Sequence, residues 1–288
     1  MRKIIVFLPL FLITGIVWAG MTYDAGYYRN HKSQLSSATQ YDPVYMFIRE
    51  AEERLEDART YVKFNSNAIN GTVAGGASAG TALAVDLSTV NGVTFERFNM
   101  ATQTILGPNM ISTTAAAGLN ISQDLTNNDG VEWTQGITAA SKHAYTVGTS
   151  GAFYLKVKLD VNDVSGTDRL AVGFRKAEAY QADMDDYDEL VCLDVNSGDI
   201  VIATILNGGA TTYTDTTDNW ADNAAKTLEI YVSAAGVVTY LIDGASPTTT
   251  AAFTFDSGEV VIPFLQLRHD TDVAEQTCLV EWDCGLQW

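Results

Sequence analysis

After residue 119 the chain is a succession of short segments in which apolar and polar residues alternate. In residues 153–161 a large apolar side chain stands at every second position, a pattern typical of a strand with one buried face. Glycine-containing turn signals separate such segments at 196–198, 207–209, 235–236, 243–244 and 256–258. The predicted strands are 153–161, 170–174, 190–195, 200–206, 228–232, 237–242, 260–267 and 277–283. Regularly spaced short strands predict a mainly β chain, folded as an antiparallel β-sandwich or jelly roll.

The net charge of the chain lies in the same part. Residues 119–288 hold 26 acidic and 8 basic residues, whereas residues 1–118 hold nine of each, so the whole net charge of −18 belongs to the predicted sandwich. Negative charge repels nucleic acids and anionic membranes, and it favours solubility. We therefore exclude nucleic acid as a partner and predict that an acidic β-sandwich domain spans 119–288.

The best helix signal lies in the N-terminal segment 21–64. Asp42 and Pro43 suit the start of a helix, and apolar residues recur at steps of three and four as far as Val62. We predict an amphipathic helix over 43–62. Its apolar stripe has to be buried, either on the β-domain of the same chain or through self-association or docking.

Residues 65–118 are rich in glycine, alanine and threonine and hold few large apolar residues. This composition predicts a flexible arm or linker. Within it, segments 82–87 and 93–98 flank Asn91 and Gly92 and predict a short hairpin. We expect residues 21–118 to bring copies of the chain together as a homo-oligomer or to contact other proteins.

Residues 1–20 contain a basic start at Arg2 and Lys3, an apolar run over 4–18 and small residues at the end. This order is typical of a secretory signal peptide, which predicts an extracellular protein. The run is short for a membrane-spanning helix, which needs about 20 apolar residues. The alternative interpretation is that translation starts at Met21.

The cysteines and histidines show no spacing typical of a disulfide framework, a zinc site or a catalytic triad. Cys278 and Cys284 stand six residues apart in one predicted strand and cannot bond to each other. A bond from Cys192 to either stays open, and three buried, reduced thiols are the favoured interpretation. The three histidines are His31, His143 and His269.

The densest acidic cluster of the chain lies in residues 183–189. Its carboxylates at Asp183, Asp185, Asp186 and Asp188 supply oxygen ligands of the kind that Ca²⁺ prefers. The cluster lacks the glycine and the downstream glutamate of a helix-loop-helix calcium site. A charged, solvated loop is therefore the favoured interpretation, and a calcium site the alternative.

Polysaccharide hydrolysis on a β-sandwich would require two carboxylates roughly 5–9 Å apart. Glu281 and Asp283, two residues apart in the last predicted strand, are the pair with suitable spacing. We predict that both face outward in a structural role, and we assign no catalytic residue. The residues of that strand predicted to face the core are Cys278, Val280, Trp282 and Cys284.

Four aromatic residues lie in or beside predicted loops of the sandwich: Tyr180, Tyr187, Tyr213 and Trp220. Aromatic rings stack on sugars, and neighbouring polar side chains bind sugar hydroxyls. These four residues are the candidates for a glycan-binding site.

The region from residue 119 to residue 287 resembles a concanavalin A-like jelly roll found in structural proteins of tailed bacteriophages. The resemblance is carried by the strand-and-turn segments 151–159, 168–180, 205–212, 236–244, 261–267 and 281–287. It implies a non-enzymatic virion component, such as a head decoration, fibre or tail-associated protein, with other virion proteins as partners. A secretory leader departs from this pattern, because most phage structural proteins assemble in the cytoplasm.

Three functions follow as expectations. A virion structural protein comes first, and a secreted lectin-like protein that binds host or environmental glycans is the alternative. A polysaccharide hydrolase is the least favoured.

Overall fold

The computed structural model describes residues 59–64, 85–90, 93–99, 109–112, 117–121, 130–164, 169–181, 183–268 and 277–287. Within these ranges the chain forms antiparallel strands and one short 3-10 helix, Met184–Asp186. No helix in them is long and apolar enough to cross a membrane. Residues 1–58, which include the predicted signal peptide and most of the predicted amphipathic helix, lie outside the described residues.

The strands in chain order are β1 (Arg59–Lys63), β2 (Val85–Val90), β3 (Val93–Asn99), β4 (Asn109–Ser112), β5 (Ala117–Asn120), β6 (Gly130–Thr134), β7 (Tyr145–Thr146), β8 (Phe153–Val161), β9 (Arg169–Lys176), β10 (Leu190–Asn196), β11 (Asp199–Ile205), β12 (Thr212–Asn219), β13 (Ala224–Val232), β14 (Val238–Ile242), β15 (Val260–Arg268) and β16 (Thr277–Leu286).

The described strands form two antiparallel sheets. The seven-stranded sheet has the order β14-β13-β8-β16-β5-β4, and β1 also pairs with β16. The nine-stranded sheet has the order β12-β11-β10-β9-β15-β6-β3-β2, and β7 also pairs with β15. In chain order the strands change sheet after β1, β3, β5, β7, β8, β12, β14 and β15, as in a jelly roll. The predicted fold class, an antiparallel β-sandwich, is confirmed.

The hydrophobic core lies between the two sheets. In β8 the predicted alternation is confirmed, because every second side chain from Phe153 to Val161 is fully buried. Strand β9 differs from the half-buried strand that its sequence suggests, since both of its faces are buried. Its inner face packs in the core, and its outer face lies beside a second apolar cluster that includes Met184 and Tyr187. The full second cluster is Ala171, Met184, Tyr187, Leu190, Cys192, Ala203, Ile205 and Phe264.

The predicted helix over 43–62 is wrong for its last residues. Arg59–Lys63 form β1, which runs antiparallel to β16. Thr60 and Val62 are buried, and the Arg59 guanidinium donates two hydrogen bonds to Asp283, at 2.8 and 2.6 Å. Pairing with β16 satisfies the backbone hydrogen-bonding groups of this segment. Helix propensity depends on the local sequence and does not include such a distant partner.

The predicted hairpin is confirmed, with its first strand displaced from 82–87 to Val85–Val90. Its second strand, β3, pairs with β6 and buries Phe95 in the core. The sandwich therefore includes strands that precede residue 119. The described residues of 65–118 belong to its two sheets and do not form a separate arm.

All three cysteines are buried and carry free thiols. The predicted inward face of β16 is correct for Trp282 and Cys284 and wrong for Cys278 and Val280. A β-bulge between Leu279 and Glu281 shifts the alternation, so that Leu279 joins the core instead. One extra residue in a strand reverses which face the residues before it occupy.

Candidate functional site

An open cleft of about 360 Å³ lies on the outer face of the nine-stranded sheet. That face is identified by the register, because Leu193 and Val195 point into the core while Asp194 between them points outward. Asp194 of β10 stands opposite Val201 of β11, and Ala203 stands opposite Tyr213 of β12. The side chains that line the cleft are Arg169, Asp194, Asn196, Ser197, Asp199, Val201 and Tyr213.

A tight hairpin between β10 and β11 forms one end of the cleft. Asn196 pairs with Asp199, and the two residues between them, Ser197 and Gly198, have φ angles of 50° and 90°. Two successive residues with positive φ match the twist of a two-residue hairpin, and asparagine, serine and glycine tolerate such turns. The turn thus presents Asn196, Ser197 and Asp199 as exposed polar groups at the cleft.

Arg169 at the start of β9 connects the floor of the cleft to its rim. Its Nε lies 3.4 Å from Asp194 Oδ2, and its Nη1 lies 3.7 Å from Asp185 Oδ1 and 3.8 Å from Asp183 Oδ1. Its Nη2 donates a hydrogen bond to the Tyr213 hydroxyl, and its Cζ lies 5.5 Å from the centre of the Tyr213 ring. Burial alone would lower the pKa of Arg169, but these acidic and phenolic neighbours raise it. The guanidinium is therefore held in place by several partners at once.

Asp194 is the most deeply buried polar residue of the cleft, at 1% exposure. Burial raises the pKa of its carboxyl to about 7, and Arg169 only partly offsets this effect. Its Oδ1 atom is buried and has no donor within hydrogen-bond geometry, although the backbone N–H of Val195 also favours the ionised form of the carboxyl. A buried acceptor without a donor costs roughly 1–3 kcal/mol, so the cleft contains an oxygen that a ligand donor would stabilise.

Tyr213 provides the aromatic surface of the cleft, with 44% of the residue exposed. Its hydroxyl donates a hydrogen bond of 3.0 Å to Asp185 Oδ1, which fixes the orientation of the ring. Burial of the hydroxyl and the carboxylates nearby raise the pKa of Tyr213 to about 12, so the phenol is neutral at physiological pH. A fixed, half-exposed ring beside hydrogen-bond donors and acceptors suits a polyhydroxylated ligand.

The other three aromatic candidates do not line the cleft. Trp220 is 3% exposed, and its Nε1 donates to the carbonyl of Ala224 at 2.9 Å. Tyr187 is 1% exposed, and its hydroxyl donates to Glu132 at 2.6 Å. Tyr180 is half-buried and stacks on Phe98 with ring centres 4.7 Å apart. These rings pack against other residues of the sandwich. Of the four aromatic residues predicted as glycan-binding candidates, Tyr213 is the one that lines the cleft.

The acidic segment is held mainly by cations of the protein. Arg268 donates to Asp183 at 2.6 Å, and Lys176 donates to Asp188 at 2.7 Å. Asp185 accepts from Thr211 at 2.9 Å as well as from Tyr213. In the described ranges no three histidine, cysteine, aspartate or glutamate side chains are grouped to hold a metal ion. The alternative of a calcium site at Asp183, Asp185, Asp186 and Asp188 therefore gains no support from their arrangement.

The carboxylate pair of β16 is tied into the seven-stranded sheet. Asp283 accepts from Arg59 and from the Tyr154 hydroxyl, the latter at 2.9 Å. His143, the histidine within the described residues, is buried, with Nε2 2.6 Å from Thr60 Oγ1 and Nδ1 2.8 Å from the Tyr145 hydroxyl. Burial lowers the pKa of His143 to about 4, so the ring is neutral at physiological pH. Asp283 thus connects β16 to β1 and β8, and His143 connects β1 to β7.

Six of the residues that line the cleft were not predicted as site residues from the sequence: Arg169, Asp194, Asn196, Ser197, Asp199 and Val201. One signal was present, because Asp194 is a charged residue inside the otherwise apolar segment 190–195. A lone carboxylate in a buried strand needs a partner or a function. The partner, Arg169, comes from a different strand, and only the pairing of β9 with β10 brings the two together.

No family model matches the chain, and no curated protein matches its sequence. Solved structures similar to it include the carbohydrate recognition domain of Emp47p, with 12% identity, 78% of this chain and 98% of that chain covered, and a TM-score of 0.45. A legume lectin-like domain from Entamoeba histolytica has 10% identity, covers 63% and 88%, and has a TM-score of 0.43. An alginate lyase from Pseudomonas aeruginosa has 12% identity, covers 67% and 82%, and has a TM-score of 0.38.

Proposed function

We propose that this protein is a carbohydrate-binding module and that the cleft around Tyr213 is its binding site. The observation that carries the proposal is the half-exposed Tyr213 ring, fixed through its hydroxyl and flanked by Arg169, Asp194 and Asp199. A sugar presents apolar C–H faces and a ring of hydroxyls. The tyrosine matches the faces, and the charged and amide side chains match the hydroxyls.

Two features of the cleft favour binding by a preformed site. Arg169 is held by Asp194, Asp185 and Tyr213 together, so its donors keep one orientation. The hairpin at Ser197 is short and antiparallel, which places the turn residues on a rigid element. A site ordered before the ligand arrives loses less conformational entropy on binding.

A glycan array, followed by calorimetric titration of the best ligand, tests the proposal. Tyr213→Ala should weaken binding roughly tenfold, which corresponds to about 1.4 kcal/mol for the lost stacking surface. Tyr61→Ala is a matched control, because Tyr61 is 49% exposed on β1, in the other sheet. Equal affinities for Tyr213→Ala and the wild type would contradict the assignment of the cleft.

We propose binding without turnover. This expectation rests on the pair Glu281 and Asp283, the two carboxylates with a spacing suitable for hydrolysis. Asp283 already accepts hydrogen bonds from Arg59 and Tyr154. Prolonged incubation of the protein with its best oligosaccharide ligand, followed by chromatography, should return the ligand intact. Shortened products that disappear in Asp194→Asn would instead indicate an enzyme in the same cleft.

The second candidate is a role in a virus particle, favoured by the sequence resemblance of 119–287 to jelly rolls of tailed-phage structural proteins. Under this proposal the acidic sandwich is displayed on the particle, where it binds glycans, and other virion proteins are its partners. Mass spectrometry of purified particles should detect the chain, and its absence from them would contradict this role. The mature N-terminal residue separates the two locations, since Gly20 indicates export and Met21 or Thr22 indicates a cytoplasmic start.

A further inference from the structure

The charges around the cleft are predominantly negative. Arg169 is the one cation among the described residues that line it, whereas Asp194 and Asp199 both contribute carboxylates. Arg169 is already shared with Asp183 and Asp185, and Asp183 also binds Arg268. Two arginines therefore face four aspartates in and beside the cleft. A ligand that enters it meets an excess of negative charge.

The buried carboxylate adds a specific acceptor to this general charge. Asp194 Oδ2 is oriented toward Arg169, while Oδ1 has no hydrogen-bond donor. Burial penalises the charged form of Asp194, as the raised pKa of about 7 reflects, and a cation beside it would relieve that penalty. An ammonium group supplies both the charge and the donors, whereas a neutral hydroxyl supplies one donor and an anion supplies neither.

We propose that the cleft selects saccharides that carry free amino groups, with the ammonium placed against Asp194 and the sugar ring against Tyr213. The inference rests on the proposed function, because it specifies which class of sugar the same site takes. Uronic acid polymers are rejected, since their carboxylates would approach four aspartates. N-acetylated sugars keep the ring face for stacking but lose the charge.

The charge state of Asp194 depends on the groups that face it from the neighbouring elements. These are Arg169 on β9, Asp185 on the 3-10 helix and Asp199 and Tyr213 along the cleft. Asp185 raises the pKa of Asp194 and Arg169 lowers it. A bound ammonium acts in the same direction as Arg169, so it favours the ionised carboxylate.

Calorimetric titration at about pH 7 with three matched hexasaccharides tests the selection: an oligomer of glucosamine, one of N-acetylglucosamine and one of alginate. We expect the glucosamine oligomer to bind at least roughly tenfold more tightly than the N-acetylated one, and the alginate oligomer not to bind. Added salt should weaken the first interaction most, because exposed charges are screened over about 8–10 Å.

Two variants locate the effect. Asp194→Asn is nearly isosteric and should reduce the preference for glucosamine to less than about threefold. Asp199→Asn removes an exposed charge at the rim, cannot disturb the core, and should reduce the preference partly. Asp186→Asn is the control, because Asp186 is exposed and does not line the cleft, and it should leave the preference unchanged. A thermal melt of each variant verifies its fold.

The outcomes separate the two proposals. Equal affinity for the glucosamine and N-acetylglucosamine oligomers, with loss of both in Tyr213→Ala, overturns the charge selection and leaves the carbohydrate site standing. Tight binding of the alginate oligomer overturns the selection as well. A preference for glucosamine that persists in both Asp194→Asn and Asp199→Asn contradicts the placement of the ammonium. Failure of all three oligomers and of the glycan array contradicts the proposed function itself.

Discussion

A buried ion pair on the outer face of the nine-stranded sheet allows a quantitative prediction about stability. Arg175 Nε donates to Glu132 Oε1 at 2.7 Å, and both side chains are fully buried. The second oxygen of Glu132 accepts from the Tyr187 hydroxyl at 2.6 Å, and the Arg175 guanidinium lies 4.3 Å from the centre of the Tyr187 ring. This cluster fixes the segment that carries Tyr187 onto the sheet.

The perturbation is Glu132→Gln, which keeps the shape of the side chain and removes its charge. The hydrogen bond from the Tyr187 hydroxyl becomes a neutral one, a loss of about 1 kcal/mol, and the guanidinium of Arg175 is left buried without a counter-charge. Breaking a buried pair on one side costs about 3–5 kcal/mol, so we expect a loss of about 3–4 kcal/mol. For a domain of this size that loss lowers the melting temperature by roughly 10 °C.

Urea unfolding at neutral pH, followed by tryptophan fluorescence, measures this loss. Asp186→Asn provides the charge-matched surface control, with an expected change within about 0.5 kcal/mol. The double variant Glu132→Gln/Arg175→Met removes the stranded charge and should be more stable than Glu132→Gln alone. A loss of less than about 1 kcal/mol in Glu132→Gln, or a double variant whose loss equals the sum of the two single losses, would refute the reasoning.

Three further predictions concern other parts of the sandwich. Burial raises the pKa of Glu189 to about 7. The folded state therefore keeps a proton on Glu189 that the unfolded state releases near the ordinary pKa of a glutamate. The stability that this bound proton contributes is lost as the pH rises through about 7. Glu189→Gln should therefore be more stable than the wild type at about pH 8, with a smaller gain at about pH 5; thermal melts giving the same gain at both values would contradict this. Gly173→Ala should destabilise the fold by about 3 kcal/mol or more in urea unfolding, because an added Cβ would lie 2.0 Å from the Val191 carbonyl oxygen. A soluble variant of unchanged stability would be inconsistent with that contact. Leu155→Ala, in the core, should cost about 2–5 kcal/mol in the same assay, whereas Leu206→Ala, at 45% exposure, should cost less than about 0.5, and similar losses would argue against the assigned core.

Much of the fold was predictable because the strands of a sandwich alternate between core and solvent. Residues 153–161 show this alternation in the sequence, and β8 reproduces it with five fully buried side chains. Strand β12 was missed, because its residues are mostly polar and exposed at the edge of the sheet. The strand Arg59–Lys63 was predicted as the end of a helix, because its partner lies more than 200 residues later in the chain.

The candidate site was predictable only in part. Tyr213 was among the sequence candidates, since an aromatic residue beside a loop is a visible signal. Tyr187 and Trp220 carry the same signal, yet both are buried, and aromatic type alone does not distinguish a ligand surface from packing. Asp194 gave a different signal, a single charge within an apolar strand.

The sequence by itself determined the class of fold and the sign of its surface charge. The first depends on local alternation of apolar and polar residues, and the second depends on composition. Its short strands and turns specify an antiparallel sandwich, and its surplus of carboxylates makes that sandwich acidic. Only the tertiary structure decided that Arg169, Asp194 and Tyr213 share one cleft. These residues lie on β9, β10 and β12, and the pairing of those strands through β11 sets the distances between them. Such distances depend on strand register, which no single segment encodes, and the chemistry of the cleft follows from them.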